Sequence, residues 1–326
     1  MQPTPGDVHV DQLLSNVSTA YIQNPNSFIA DKVFPIVPVT FKSDKIAQFT
    51  KQPWMRSQAK PRGLSSESAG SGYEVTTTTY ACEVYALHKD IDDQTRKNSQ
   101  SPFAPDKNAT DFVTQQLLLQ REIQFMTDFF ATGKWGNEWT GNTSASDYAG
   151  DTIKQWDQSS GATPIADVIN ACTEVQLQTG MRPNIGVISR QVYDKLKVHS
   201  EILDRIKYTS SDSIDRILLA RLFELEDLLI AEAVYDTAAE GAAASQSFVA
   251  GKHMLLAYRT PTPALDMPTA GLIPVWTDYL GAGGFGNRIK KFRMEPINSD
   301  RVEGELAYDM KVVCSDAAIF LNGVIA

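Results

Sequence analysis

Apolar residues recur with the period of an α-helix over residues 108–132, and this is the strongest pattern in the chain. The stripe consists of Leu119, Ile123, Met126 and Phe130, and it is extended by Phe112, Val113 and Leu117. Asn108 or Thr110 can cap the start, and Gly133 can end the helix in the left-handed conformation. About 25 residues at a rise of about 1.5 Å each span about 37 Å. The pattern therefore predicts a long helix that serves as the spine of a domain.

Upstream of this helix, the segment from Phe41 to Asp93 has the pattern of a long β-hairpin. Two strand-like arms, Lys45–Trp54 and Tyr73–His88, flank a tip rich in proline, glycine and serine. The second arm holds four consecutive threonines, whose β-branched side chains favour extended backbone. The hairpin has too few apolar residues to build its own core, and an isolated two-stranded hairpin is marginal in water. We therefore expect another copy of the same chain to stabilise it.

The first 40 residues show little periodicity. Pro25, Pro35 and Pro38 interrupt them, and proline removes a backbone donor and biases the preceding residue away from the helix. The apolar run Val33–Val39 contains two of these prolines. It therefore suits an extended arm on a surface better than a central strand.

Beyond the long helix, residues 135–161 are polar and rich in glycine and serine, which predicts a loop or irregular strands. An alternation of helix and strand patterns then begins near Thr163. The predicted helices are Ile165–Gln178, Arg190–His199 and Ser213–Leu225, and the predicted strands are Asn184–Ser189, Asp227–Val234 and Met254–Tyr258. This order predicts a compact α/β unit inserted into a larger scaffold.

The chain ends in β-type patterns. Apolar residues alternate strictly from Leu306 to Cys314, and Ala317–Val324 is a final apolar strand. The long helix is the only early element with enough apolar surface to cover these strands. We therefore predict an α+β fold in which that helix and the last strands form one layer, with residues 163–285 as an insertion.

Composition narrows the class of protein. The chain has 326 residues, is 42% hydrophobic and carries a net charge of −9, which argues against tight binding to nucleic acid. No apolar run approaches the roughly 20 residues needed to span a bilayer, so we expect no membrane segment. Its start has neither the basic nor the apolar region of a secretion signal. Three widely spaced cysteines, Cys82, Cys172 and Cys314, are typical of small buried side chains in a reducing compartment.

One glycine-rich motif resembles a nucleotide site. Gly281–Gly286 matches G-x-G-x-x-G, which binds a dinucleotide only between a strand and the start of a helix. The following Asn287–Met294 is a poor helix opening, so we interpret the motif as a flexible loop. A dinucleotide-binding enzyme is the less favoured alternative.

Other catalytic patterns are weak. His88–Asp93 gathers one histidine and three aspartates but lacks the EF-hand pattern, so a charged strand end leading into a turn is the better interpretation. HExxH, GxSxG and GxxxxGK[ST] do not occur. We predict no catalytic, cofactor-binding or metal-binding residue and no enzymatic activity.

Charge is distributed unevenly. Residues 42–62 hold six basic side chains and one acid, a net of +5, whereas residues 212–240 hold eight acids and two arginines, a net of −6. This pattern favours charge-complementary self-association, although both segments could instead be ordinary solvated faces. Trp54 beside Arg56 favours an interface, because both residue types are enriched in binding hot spots. The predicted inter-subunit contacts are Trp54, Arg56, Lys60, Arg62, Phe34, Asp212, Asp215 and Glu224.

The order of these parts resembles a known family. An N-terminal arm, a long hairpin, a spine helix, an inserted α/β unit and closing strands are similar to the major capsid proteins of tailed bacteriophages, which share the Hong Kong ninety-seven fold. Local sequence is also similar to such proteins at His88–Asp93, Phe112–Leu119 and Ala257–Pro263. The resemblance runs over essentially the whole chain.

This resemblance implies a division of the chain. It assigns residues 1–41 to an N-terminal arm, 42–93 to the hairpin called the E-loop and 94–162 to a P-domain that contains the spine helix. It assigns residues 163–285 to an A-domain and 286–326 to the closing strands of the P-domain. Hexamers and pentamers then form around the A-domain tips, and each E-loop lies over a neighbour's P-domain.

The resemblance also implies function and partners. It predicts an icosahedral head shell that encloses double-stranded DNA without reading its sequence, located in the virion and assembled in the cytoplasm of a bacterial host. A portal protein is implied, and a decoration protein is compatible. No long charged helical segment precedes the arm, so a separate scaffolding protein is expected. The alternative within the same fold is an encapsulin-like nanocompartment, which the proline-rich start disfavours.

Overall fold

The computed structural model describes residues 23–24, 27–49, 51–99, 104–144, 150–158, 161–207, 215–239, 241–280 and 287–326. Two six-stranded mixed sheets and the helices packed on them form the body of the molecule, and a two-stranded hairpin projects from it. Hydrophobic cores lie between these layers.

In chain order the strands are β1 Ile36–Val39, β2 Ser43–Phe49, β3 Val75–Ala81, β4 Glu83–Asp92, β5 Asn137–Asn142, β6 Thr152–Lys154, β7 Ile185–Ser189, β8 Asp227–Ala231, β9 Val234–Asp236, β10 Gln246–Phe248, β11 Met254–Ala257, β12 Gly271–Trp276, β13 Asn287–Met294, β14 Ser299–Tyr308, β15 Lys311–Val312 and β16 Ala318–Asn322. The α-helices are α1 Ala30–Val33, α2 Lys51–Met55, α3 Asp93–Asn98, α4 Pro105–Phe129, α5 Pro164–Thr179, α6 Arg190–Lys197, α7 Ser200–Ile206, α8 Arg216–Leu222 and α9 Thr277–Leu280.

The first sheet supports the spine helix α4. Its strand order is β1-β12-β14-β13, with β15 beside β12 and β4 beside β14. The helix crosses β4 and β14 so closely that a Cβ atom at Gly304 would lie 2.6 Å from Val113 Cγ1. Glycine permits this approach because it has no side chain. The prediction that a late strand packs on the spine helix is confirmed for β14.

The spine helix is shifted from its predicted bounds. It begins at Pro105 and ends at Phe129, three residues earlier at each end than predicted, because Pro105 fits the first helical turn. Its buried apolar face consists of Ala109, Val113, Leu117, Phe125, Met126 and Phe129. The predicted stripe is partly confirmed: Val113, Leu117, Met126 and Phe130 are buried. Phe112 is exposed, and Leu119 and Ile123 are only half-buried.

The second sheet joins segments that lie far apart in sequence. Its order is β6-β5-β16-β11-β7-β8, so β5, β6 and the last strand β16 share a sheet with strands of the inserted unit, and β16 pairs directly with β11. Conversely, β12 belongs to the first sheet, where it runs parallel to β1. The predicted boundaries at residues 162 and 285 therefore do not follow the sheets. Long-range pairing of the apolar strand β16 with β11 and β5 is the reason.

The hairpin is shorter than predicted. β2 pairs with β3 from Ser43↔Ala81 to Phe49↔Val75, but residues 51–55 are the short helix α2 instead of strand. β4 leaves the hairpin at Cys82 and pairs along its whole length with β14. The second predicted arm is thus two strands in two different sheets.

Other predictions hold with small shifts. Helix α5 ends at Thr179, and Gly180 is its C-cap with a φ of +73°. The strict alternation predicted from Leu306 to Cys314 is interrupted, because β14 ends at Tyr308 and Ala307 is buried together with its neighbours Leu306 and Tyr308. In the part of the chain that the structure describes, no helix is long and apolar enough to cross a membrane.

Candidate assembly surfaces

The distal part of the hairpin, residues 56–74, contains no helix or strand and is almost entirely exposed. Arg56, Lys60 and Arg62 all point into solvent there. Trp54, 64% exposed, packs against Tyr73 of the opposite arm, with the ring centroids 5.5 Å apart. The structure therefore brings together four of the predicted contact residues on one projecting surface.

The tip carries an ordered turn. Ser66 donates from its backbone N to Gly63 O at 3.2 Å, and Arg62 Nε donates to Ser66 O at 2.5 Å. Ser65 lies in the left-handed region with a φ of +61°. This turn holds Leu64 fully exposed, although sequence reasoning did not select it.

The base of the hairpin is anchored to its own chain. Ile46, Tyr80 and Cys82 are buried in a small core with Val37, Val39 and Leu272. Ala81 N donates to Asp309 Oδ2 at 2.9 Å, and Gln48 Nε2 donates to Val313 O at 2.7 Å. Lys51 forms an ion pair with Asp316. The hairpin thus has no core of its own, but the expectation that another copy stabilises it is wrong for its base, where the body of the same chain supports it. Only the distal part lacks such support.

An open cleft of about 700 Å³ lies between the hairpin base and the body. Three methionines, Met55, Met181 and Met267, line it together with Trp54 and Cys314. Met55 also reaches the end of α5, where its Cε would lie 3.7 Å from a Cβ at Gly180. The first arm of the hairpin thus runs beside the inserted unit of its own chain.

The predicted acidic contacts are exposed but partly engaged within the chain. Asp215 caps helix α8, with Oδ1 accepting from Arg216 N at 2.6 Å. Glu224, at a φ of +58°, pairs with Arg182 at 2.6 Å. Asp212 lies outside the described residues. The structure does not bring Asp215 or Glu224 to the basic tip of the same subunit, so any contact between them has to involve another copy.

Phe34 corrects one prediction. Its side chain is 0% exposed and packs on Phe125 and Phe129 of the spine helix, with centroids 5.1 and 4.9 Å away. It also contacts the ring of Trp135. The prediction that Phe34 touches a neighbouring subunit is wrong, because its apolar ring belongs to the core of its own chain.

The described part of the N-terminal arm is integral to the subunit. Glu122 Oε2 accepts from the backbone N of both Ile29 and Ala30 at 3.0 Å, and Arg121 pairs with Asp31 at 3.1 Å. Burial raises the pKa of Glu122 to about 7. Sequence reasoning missed Glu122, although an acid four residues from Leu118 and Met126 on a buried helical face was a usable signal.

The side chain of Gln23, earlier in the same arm, forms hydrogen bonds with the backbone of β9 in the way that a neighbouring strand would. Gln23 Oε1 accepts from Val234 N at 3.1 Å, and Gln23 Nε2 donates to Val234 O at 2.6 Å. Both backbone groups of Val234 are thereby satisfied on the side away from β10. Nothing local in the sequence marks Gln23 for this role, because its partner lies 211 residues away.

Two of the three aspartates of His88–Asp93 bind arginines, as expected for a charged strand end. Arg301 donates to Asp90 at 2.7 and 2.8 Å and thereby lowers the pKa of that carboxyl. Arg293 binds Asp93 at 2.7 Å, and Asp92 caps α3 by accepting from Gln94 N. Among the described residues no group of three metal-binding side chains occurs. The motif Gly281–Gly286 lies outside them.

The prediction that the cysteines are buried is confirmed for two of the three. Cys82 and Cys172 are buried and unbonded, and burial raises the pKa of each thiol to about 11. Cys314 is half-buried beside the cleft.

Comparison with known sequences identifies two curated relatives. The chain is 26% identical over 274 residues to the major capsid protein of Pseudomonas phage JBD67, which covers 82% of the chain and 84% of that protein. It is 25% identical over 232 residues to the major capsid protein of Burkholderia phage BcepMu, covering 69% of the chain and 70% of that protein. No family model matches the sequence.

Solved structures share the fold at low sequence identity. A phage-related protein from Bordetella bronchiseptica superposes with a TM-score of 0.68 at 22% identity, over 97% of both chains. The capsid protein of cyanophage P-SCSP1u superposes with a TM-score of 0.62 at 9% identity, over 99% of this chain and 95% of that one. An encapsulin from Synechococcus elongatus has a TM-score of 0.55 at 10% identity, over 98% of both chains. The predicted phage capsid fold is confirmed.

Proposed function

We propose that this chain, which has the fold of phage capsid proteins and is related in sequence to two phage major capsid proteins, is the shell subunit of a tailed-phage head. The observation that carries the proposal is the similarity to a major capsid protein over 82% of the chain. A projecting hairpin whose distal part lacks support from its own subunit fits the same role.

In this role the subunits form hexamers and pentamers that close into an icosahedral shell around double-stranded DNA. Closed symmetric contacts repeated many times make the shell stable although each contact is weak. The net charge of −9 suits a container, because an interior that gripped DNA tightly would oppose packaging and release. The shell belongs to the virion and assembles in the host cytoplasm with a portal, a separate scaffolding protein and, in some heads, a decoration protein. The subunit has no enzymatic activity.

The hairpin is the assembly arm in this proposal. Trp54, Arg56, Lys60 and Arg62 contact a neighbouring subunit, and their exposure and composition support that assignment. The exposed acids Asp215 and Glu224, together with Asp212, are the candidates to receive the basic side chains on another copy.

Electron microscopy of the purified full-length chain tests the proposal. We expect closed particles tens of nanometres across, alone or after co-expression with the scaffolding protein from the same phage. A protein that stays monomeric under both conditions would contradict it.

The encapsulin alternative is favoured by one observation, the structural similarity to a nanocompartment protein. Particle contents separate the two functions. Particles purified from infected or induced cells contain DNA if the chain is a phage shell, and protein cargo without DNA if it is a nanocompartment.

A further inference from the structure

Two strand edges in this chain carry backbone groups without a hydrogen-bond partner among the described residues. One is the outer edge of β3 between Val75 and Thr79, and the other is the outer edge of β13, which pairs only with β14 in the described part of the chain. Such edges readily pair with strands of other chains, so proteins usually block them with charges, prolines or a covering element.

The β3 edge faces away from β2. Cys82 N donates to Lys42 O inside the hairpin, whereas Ala81 N donates outward to Asp309. Because the direction of the amides alternates along a strand, Val75, Thr77 and Thr79 also point their amides outward. The segment Val75–Ala81 contains no charge and no proline. This edge is therefore unblocked.

The sequence of β13 contains four basic side chains, which would be expected to block its edge, but the structure shows that these charges are paired. Its four basic side chains are each bound by an acid of the same chain: Arg288 and Lys290 by Glu305, Lys291 by Asp106 and Arg293 by Asp93. The charges that would repel an incoming strand are thus neutralised within the subunit. Ile289 and Phe292 remain 46% and 40% exposed along the same strand.

We propose that β3 of one copy pairs with β13 of the next copy, so that the hairpin and the first sheet become one intermolecular sheet. At about 3.3 Å per residue, the five open residues 75–79 of β3 span about 17 Å and the eight residues of β13 about 26 Å, so β13 is long enough to pair with the whole open edge. In each copy, β3 pairs with one neighbour and β13 pairs with another. This is a heterologous contact, which closes into rings when the rotation between copies permits. The pairing rests on the proposed function, since it specifies how the shell subunits join.

Mixed-copy disulfide trapping tests the pairing. One chain carries Thr77→Cys or Thr79→Cys and the other carries Ile289→Cys or Lys291→Cys, all in a Cys314→Ser background. These two pairs of positions allow for register, and the remaining cysteines are buried. We expect oxidised co-assembled particles to contain disulfide-linked heterodimers for at least one combination. Thr77→Cys mixed with Val198→Cys, an exposed position on a helix end, should give none.

Failure of the β3–β13 pairing and failure of the proposed shell function give different results. Closed particles without a β3–β13 disulfide in any combination would overturn the pairing and leave the shell function intact. If the unsubstituted chain forms no particles, the proposed function fails instead.

A proline variant adds a test independent of cross-linking. Thr77→Pro removes one outward amide, which a strand edge tolerates, whereas Thr77→Val keeps that amide. We expect Thr77→Pro to abolish particles while circular dichroism and thermal unfolding remain those of the unsubstituted subunit, and Thr77→Val to assemble normally. A normal particle yield from Thr77→Pro would contradict the proposal.

Discussion

Among single residues, Glu122 shows how a buried charge can position a segment. Its carboxylate joins the spine helix to the backbone of Ile29 and Ala30, and one of its oxygens, Oε1, is buried without a hydrogen bond. Desolvation acts against the ionised form, whereas the two N–H groups and Arg121 favour it, and burial is the larger effect. The attachment of the arm therefore depends on the protonation of this side chain.

We predict that this side chain makes the folded subunit less stable as the pH rises. A carboxyl whose pKa is raised from 4.5 to about 7 on folding contributes its full stability below pH 4.5 and loses it as the pH rises through 7. The loss is about 3 kcal/mol, at about 1.4 kcal/mol per pKa unit. Urea unfolding of the monomeric subunit should give a lower free energy of unfolding at pH 8 than at pH 4.5. The Glu122→Gln variant should not show this difference.

Glu67→Gln, on the exposed tip, serves as the control because it removes a carboxylate that is not buried. Equal pH dependence in the unsubstituted chain and in Glu122→Gln would contradict this role for Glu122.

The contact between Phe34 and Gly271 gives a second prediction at this scale. A Cβ at Gly271 would lie 2.3 Å from the Phe34 ring, so Gly271→Ala should destabilise the subunit by about 1–3 kcal/mol through overpacking. Adding Phe34→Leu should recover part of that loss, because a smaller side chain frees space. Chemical unfolding of the two single variants and the double variant measures the coupling. Additive effects would show that the two residues do not compete for space.

Among the elements, the hairpin combines an anchored base with a free tip. The base is held by a small core shared with the body and by Asp309, Val313 and Asp316, whereas residues 56–74 stand clear of the body. A single element can thus fold with one subunit and remain available to another.

Deleting Pro61–Gly72 should separate these two roles. We expect a soluble subunit with an unchanged thermal midpoint, because the deleted residues do not contribute to the buried core, but no closed shell. Calorimetry measures the first property and electron microscopy the second. Normal particles from this variant would refute the assignment of the hairpin as an assembly arm.

At the scale of the whole molecule, charge separates into a basic arm and an acidic remainder. Residues 42–62 carry +5 within a subunit of net charge −9. Subunits with this distribution attract arm to body over distances comparable with the Debye length, about 8 Å at physiological salt.

Reversing Arg56, Lys60 and Arg62 to glutamate should therefore abolish assembly or make it recover only at high salt. Reversing three exposed lysines elsewhere, Lys107, Lys134 and Lys195, gives the matched control and should leave particle yield unchanged. Light scattering across ionic strength measures both. If the two triple variants behave alike, the location of the basic residues on the hairpin is irrelevant to assembly.

Local patterns in the sequence determined several of the elements. The spine helix, α5 with its Gly180 cap, the strands β7, β8 and β11 and the projecting tip follow from periodicity, capping and turn residues, which depend on near neighbours. The composition also indicated correctly that Cys82 and Cys172 are buried.

The tertiary structure alone decided which strands share a sheet. β4 left the hairpin for β14, and β16 joined the inserted unit, because both strands satisfied their backbone groups against partners more than 60 residues away. The same long-range packing buried Phe34, linked Gln23 to Val234 and neutralised the basic side chains of β13. Hydrophobic spacing shows that a strand will form, but only the assembled core fixes its partner and the edges that remain open.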